Sequence, residues 1–253
     1  MTREVTDVGS LVRHWRQRRR LSQQALSDQC GVSTRHLSYI ETGKARPSPT
    51  MVGQLSEALA VPLRERRRLF TAAGFVPDAS ELPLDAPALA EVNDALEQIL
   101  AGHEPYPALV IDGGWDLVTA NEAAYRLLAD VPADLLEPPV NVVRLSLDPR
   151  GLAPRIANLD EWRGAIMSRI RHEHDTTGDP RLAALVAEFP VARPHPTPGI
   201  VLTLRLLAGD DVLSFLTTTT VFGTPGDVTV AELAIEALYP ADDTTRAALA
   251  AGS

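Results

Sequence analysis

Residues 21–47, LSQQALSDQCGVSTRHLSYIETGKARP, decide the fold of the N-terminal part of the chain. Their apolar spacing and their breakers predict two short helices joined by a tight turn. Ser22 caps a first helix running to about Cys30, with Ala25 and Leu26 turned inward, and Gly31 supplies the open backbone geometry that ends it. Ser33 starts the second helix, whose Leu37 and Ile40 sit three apart on one face and can bury against Leu26 and Val32. Thr34, Arg35, Ser38 and Tyr39 then face outward, and a helix so presented fits the major groove of DNA.

Working outward, Leu11, Val12 and Trp15 mark an amphipathic helix that runs into Arg16, Arg18, Arg19 and Arg20, a run that either meets phosphates or is a solvated helix end. Ser48 caps a fourth helix carrying Met51, Leu55 and Leu59, and Pro62 opens a fifth whose Leu63, Leu69 and Phe70 close the bundle. Arg64, Arg66, Arg67 and Arg68 of that helix stay wet or help steer the domain toward DNA. Residues 1–77 are therefore expected to be an all-α five-helix domain. Charge divides at the same place: residues 1–77 hold 13 Lys and Arg against 6 Asp and Glu, or +7, leaving 11 against 27, or −16, for the remainder. Phosphate binding thus belongs to the N-terminal part.

At 253 residues and 45% hydrophobic content, the chain can build two cores, of about 75 and about 150 residues. VPDASELPLDAP, from Val76 to Pro87, reads as a stiff linker, set at 78–87, before a second domain at 88–243 and a tail at 244–253. In the second domain, Ala88 to Leu100 reads as a helix. ALVIDGGWDLVTAN (108–121, with Asn121 capping a helix through Leu128) and IVLTLRLLAGDDVLSFLTTTTVF (200–222) read as β-hairpins. Helices at Leu159–Ile170 and around Leu182, Leu185 and Val186 lie between the hairpins. That order predicts an α+β domain, with an antiparallel sheet covered on one face, as in PAS-type sensors.

The hairpin strands suggest a binding wall. Leu202, Leu204 and Leu206 share one face, and Phe215, Thr217, Thr219 and Val221 share another, so an apolar surface studded with hydroxyls is available to a mainly greasy ligand. Trp115 and Trp162 either line such a cavity or simply pack. Arg144, Arg193 or His195 can meet a ligand carboxylate if there is one.

Other chemistries lack support. RHEHD (171–175) has no further Cys or His to complete a zinc site, no phosphate loop or nucleophile elbow is present, and Cys30 reads as filler between the reading helices. Neither catalysis, a metal nor a cofactor is predicted beyond a non-covalent lipophilic ligand. With a charged N-terminus and no 18-residue apolar run, a cytoplasmic protein without a membrane partner is expected.

Ser-Gln at the first reading helix, Gly-Val-Ser at the turn and Glu-Thr-Gly-Lys after the second resemble the Cro and phage-repressor helix-turn-helix of the XRE type. That resemblance implies base-edge contacts from Thr34, Arg35 and Tyr39, with Ser33 and Ser38 beside them. It also implies phosphate contacts from Gln23, Lys44 and Arg46, joined by Arg18 and Arg20 of the arginine run. Taken in order, LSQQALSDQCGVSTRHLSYIETGKARPS, HEPYPALVIDGGWDLVTAN, NVVRLSLDPRGLAPRIAN and FLTTTTVFGTPGDVTVAELAIEALYPAD resemble the MmyB-like transcription regulators over about residues 8–243. The resemblance implies a bacterial one-component regulator, dimeric on a near-palindromic operator. It also implies a PAS-like domain that accepts a small lipophilic molecule such as a fatty acid, and action on its own or a neighbouring gene, often one for an oxidoreductase. The alternative is a DNA-binding interaction protein, antitoxin-like or architectural, with no small-molecule ligand.

Overall fold

The N-terminal helices begin where a short polar side chain takes up backbone N–H groups that a helix start leaves orphaned. In the computed structural model, which describes residues 7–191, 203–209 and 211–251, Asp7 caps α1 (Val8–Arg18) and Ser22 caps α2 (Gln23–Cys30). Ser33 caps α3 (Thr34–Glu41), Ser48 caps α4 (Pro49–Ala58), and α5 (Leu63–Ala72) follows Pro62. Gly31, at φ +65°, ends α2 in the left-handed conformation that glycine adopts without strain. Trp15, Leu26, Leu37, Ile40, Leu55, Leu59 and Leu69 form one buried core. Gly9 is a packing requirement: a Cβ there would lie 2.2 Å from the Ile40 carbonyl oxygen, so α1 and the end of α3 approach as closely as they do because position 9 has no side chain.

The first compact unit runs to Glu81 and also takes in Asp175–Thr177, at the end of the helix that spans Leu159–Thr177, and Gly226–Val228; the second takes up the chain at Leu82. The second unit contains α6 (Ala90–Gly102), β1 (Ala108–Ile111), β2 (Leu117–Ala120), α7 (Glu122–Leu127), α8 (Val142–Leu147), α9 (Leu159–Thr177) and α10 (Pro180–Glu188). After these come β3 (Thr203–Ala208), β4 (Asp211–Val221), α11 (Val228–Ala231), β5 (Ala234–Pro240) and α12 (Asp243–Ala251). The sheet order is β2-β1-β5-β4-β3, with every neighbouring pair antiparallel.

Both expected hairpins are present, but they do not pair with each other. The central strand β5, which the sequence reading did not contain, joins them. Its alternation explains the placement. Ile235 and Ala237 point to the face covered by Leu96 and Leu100 of α6, whereas Glu236 and Leu238 point to the opposite face. Both faces of the sheet are therefore covered, where one was expected. The segment set aside as a tail contains α12, whose Thr245 hydroxyl accepts a hydrogen bond from the Ser214 N–H of β4 at 2.9 Å.

Buried Asn121 fixes the junction after β2. Its Oδ1 accepts from the N–H groups of Ala108 and Ala124, each at 3.0 Å, and its Nδ2 donates to the carbonyls of Tyr106 and Leu100. Cap and strand anchor are thus one side chain. Among the described residues, no helix is long and apolar enough to cross a membrane.

Candidate DNA-reading helix and ligand cavity

Arg35, Tyr39 and Lys44 form an exposed row along the outer side of α3 and the turn after it. Arg35 Nε donates to the Tyr39 hydroxyl at 3.0 Å, its guanidinium lies 5.4 Å from the Tyr39 ring centroid, and Lys44 Nζ lies 5.9 Å from the same centroid. The aromatic ring therefore spaces two cations and limits the rotamers Arg35 must give up on binding. Arg46 is exposed nearby in sequence, and Ser38 is half-buried with its carbonyl accepting from the Thr42 hydroxyl. Thr34 is half-buried: its hydroxyl donates to Gln24 Oε1 at 2.8 Å and lies 3.1 Å from the Ser27 hydroxyl, which ties α3 to α2. Ser33 spends its hydroxyl on the α3 cap, accepting from the His36 N–H.

Several expected phosphate contacts have internal partners. Glu41, whose side chain is fully buried at the end of α3, accepts from Arg16 Nε at 2.6 Å, Arg16 Nη2 at 2.9 Å and Gln23 Nε2 at 2.8 Å, with Arg13 3.5 Å away. Burial pushes the Glu41 carboxyl up. Hydrogen bonds from Arg16 and Gln23, with the charges of Arg16 and Arg13, outweigh it and hold the group below the usual carboxylate range. Gln23 is thus a brace for Glu41. Arg19 donates to the carbonyls of Leu59 and Ala60, each at 2.8 Å, so the arginine run is partly architectural. Arg18 is half-buried near the Trp15 ring, and Arg20 is exposed at φ +55°. The arginines of α5 are not simply wet either: Arg64 pairs with Glu81, Arg66 with Asp78, and Arg67 donates to the Ala79 carbonyl.

Lys44, exposed in the turn after α3 and without an ion pair among the described residues, is expected to contribute charge alone. Lys44→Ala should weaken binding to all DNA sequences alike and reduce the slope of log affinity against log salt by about 0.9, read by titration at several salt concentrations.

In the second unit, a cavity of about 440 Å³ lies between the sheet and helices α7, α8 and α9. Register creates its wall: Leu204 pairs opposite Phe215, Leu206 opposite Leu213 and Thr217 opposite Leu238, so the two sets expected on separate faces share one. Small side chains at Ala120, Ala124 and Ala165 leave the space, and Leu109, Leu117, Leu145 and Ile166 supply further apolar lining. Trp115 and Trp162 both line it. Trp115 sits at φ +66°, an uncommon conformation for a bulky residue, in a turn held by Asp112 Oδ1 accepting from the N–H groups of Gly114 and Asp116. The Trp162 indole N–H donates to the Ser146 hydroxyl at 2.8 Å.

Leu204, Leu206 and Thr217 line the cavity. Phe215 instead packs fully buried among Leu204, Leu206 and Leu238, because it lies opposite Pro240 at the end of β5. Thr219 donates to Glu236 Oε1 at 3.0 Å, bracing that side chain. Arg144 is exposed on α8 and paired with Glu188 at 2.9 Å, outside the lining, so the carboxylate-binding role assigned to it has no support in its position. Leu202, Arg193 and His195 lie outside the described residues. Among the described residues, the charged side chains at the cavity wall are Arg169 and Glu236, which sequence reasoning missed. An acidic residue at an inward-facing position of an otherwise apolar strand is the signal, and it is readable only once β5 is known to be a strand. Among the described residues, no group of three His, Cys, Asp or Glu side chains is placed to hold a metal ion; His174 of α9 has Nδ1 3.2 Å from the Asp179 carbonyl.

A helix-turn-helix domain family model matches residues 7–69, and the model of the MmyB-like transcription regulator ligand binding domain matches residues 92–251. No curated protein matches the chain. Among solved structures, an RNA-binding light-oxygen-voltage receptor aligns at 16% identity and a TM-score of 0.31, over 96% of this chain and 61% of that one. The chain thus spans about three fifths of that receptor's length.

Proposed function

Because the chain belongs to the MmyB-like transcription regulators, DNA-binding proteins with a ligand-binding domain, we propose that it is a one-component regulator in which a small lipophilic ligand, held in the second unit, changes operator binding. The observation that carries this reading is the exposed Arg35–Tyr39–Lys44 row on a helix whose opposite side is locked into the first unit's core. Docking as in Cro and the phage repressors puts that row in the major groove, with Arg35 against a guanine edge and Lys44 and Arg46 on phosphates. Two such heads of a homodimer read a near-palindromic operator whose half-sites lie about 34–36 Å apart, or a multiple of that. The setting is the cytoplasm, and the target is the chain's own or a neighbouring gene.

The cavity supports the other half of the reading. Its volume falls within the range of small-molecule sites, and its lining is mostly Leu, Ile, Ala and Trp. A ligand there alters DNA binding only to the extent that it binds one arrangement of the protein better than the other. Extraction of the purified full chain followed by mass spectrometry, and a mobility shift with the DNA upstream of its gene with and without the extract, test both halves. Ala165→Phe, which fills the cavity from α9, should abolish ligand-dependent changes in the shift while leaving ligand-free operator binding within about threefold; the inserted ring costs about 1–3 kcal/mol of stability. A chain that neither retains nor responds to any small molecule favours the interaction-protein alternative.

A further inference from the structure

Lys44 is the chain's one lysine: of 24 cationic side chains, all the others are arginines. The difference is chemical. An arginine stays protonated at any physiological pH and its guanidinium is a poor acyl acceptor, whereas a lysine can shed a proton to leave a nucleophilic amine. Across 253 residues, the side chain that can be stably acylated on nitrogen, and lose its charge by it, is therefore confined to position 44.

Its place matters as much as its count. The first unit's Arg16, Arg19 and Arg67 are tied to a buried carboxylate or to backbone carbonyls, whereas Lys44 is exposed, with Nζ 5.9 Å from the Tyr39 ring centroid and no ion pair among the described residues. The backbone beneath it is fixed. Beyond the Thr42 cap of α3, Gly43 turns the chain at φ +71°, and the N–H groups of Lys44 and Ala45 both donate to the Tyr39 carbonyl, at 2.8 and 3.1 Å. Residues 43–48 form neither helix nor strand, and Gly43, Lys44 and Arg46 are all exposed. An irregular segment presented in this way is open to an acyl donor or a modifying enzyme without the unwinding of a helix.

Resting on the reading of α3 as the DNA-reading helix, we propose that Lys44 is an acylation site whose modification switches off a phosphate contact, the amine taking a short acyl group such as acetyl from an acyl phosphate or an acyl thioester. The amine nitrogen attacks the acyl carbonyl carbon and an N–C bond forms. The C–O or C–S bond breaks, phosphate or thiolate leaves with its electron pair, and the proton on nitrogen passes to solvent, with no oxidant or reductant involved. The product is a neutral amide that has lost both its charge and its cation–π contact with Tyr39. Arg35 keeps its guanidinium, so acylation lowers affinity for all DNA alike and leaves the preferred sequence unchanged. A slope of about 0.9 per phosphate makes one contact equivalent to about fivefold in affinity at about 0.15 M salt, taking about 1 M as the point where the effect vanishes.

The full chain is treated separately with acetyl phosphate and with acetyl coenzyme A, with and without the DNA upstream of its gene, and followed by peptide mass spectrometry. One acetyl group on Lys44 from at least one donor is expected, formed more slowly when the DNA is bound, and the donor that works separates acyl phosphate from thioester as the source. The acetylated chain and Lys44→Gln should each bind the upstream DNA and a scrambled duplex about fivefold more weakly per head, with the ratio between the duplexes unchanged and the salt slope lower by about 0.9 per head. Lys44→Arg should bind within about twofold of wild type and take up no acetyl group at that position, which subtracts any acetylation of the amino terminus. Modification of Lys44 by neither donor, or an acetylated chain that binds DNA as tightly as the untreated one, overturns the acylation site and leaves DNA reading by α3 in place. An untreated chain with no preference for the upstream DNA contradicts that reading, and the proposal with it.

Discussion

Glu41→Ala is expected to unfold the first unit or bring it close to unfolding at room temperature. The substitution removes the buried acceptor of Arg16 and Gln23, leaving the Arg16 guanidinium, itself largely buried, next to apolar core. Breaking a buried pair by deleting one partner costs about 3–5 kcal/mol. A unit of this size has about 0.05–0.15 kcal/mol of stability per residue, or about 4–12 kcal/mol in all, so the loss takes a large part of it and, at the low end of that range, the whole. Urea titration followed by circular dichroism checks the result, and an unchanged midpoint would show that the network is not what fastens α3 to α1.

The same carboxyl fixes the sign of a pH dependence. Because the folded Glu41 pKa is depressed, its stabilisation is fully present above the unfolded value of about 4.3 and is lost as pH falls through the folded value. The first unit should therefore lose stability below about pH 4, and Glu41→Gln should flatten that decline while lowering stability at pH 7. Since α3 is attached through this network, loss of the fold and loss of DNA binding should coincide in Glu41→Ala.

Arg35→Ala should instead leave the fold intact and change what is read. Arg35 is exposed and its guanidinium rests on Tyr39, so truncation creates no cavity. An arginine forked onto a guanine contributes about 1–3 kcal/mol of discrimination, so operator affinity should fall roughly 5- to 150-fold per half-site, with relaxed preference at one base position. Lys44→Ala should weaken all sequences together, and the contrast between the two variants separates base reading from charge.

What the sequence made legible was local. Ser22, Ser33 and Ser48 each lie where a helix needs a cap, and Gly31 lies where one must end, so α2, α3 and α4 could be placed from local signals alone. Partners were not legible. Arg16, Arg19 and Gln23 look like phosphate ligands because their charge or amide is visible in the sequence, whereas Glu41 and the Leu59 carbonyl that hold them lie 18 to 40 residues away. In the second unit, β5 escaped because AIEALYP is built from Ala, Glu and Leu, good helix formers, and tertiary pairing with β1 and β4 overrides that preference. Missing β5 hid the Arg169–Glu236 pair, and so the polar end of the cavity, while the greasy wall from β3 and β4 could still be read from alternation.

The measurement closest to the centre of the account is a competition titration of the intact chain, at about 0.15 M salt, between the DNA upstream of its gene and a scrambled duplex of the same length and composition. Insertion of α3 into the major groove predicts at least about 10³-fold tighter binding to the native sequence, reduced in Arg35→Ala. Equal affinity for the two duplexes would contradict it.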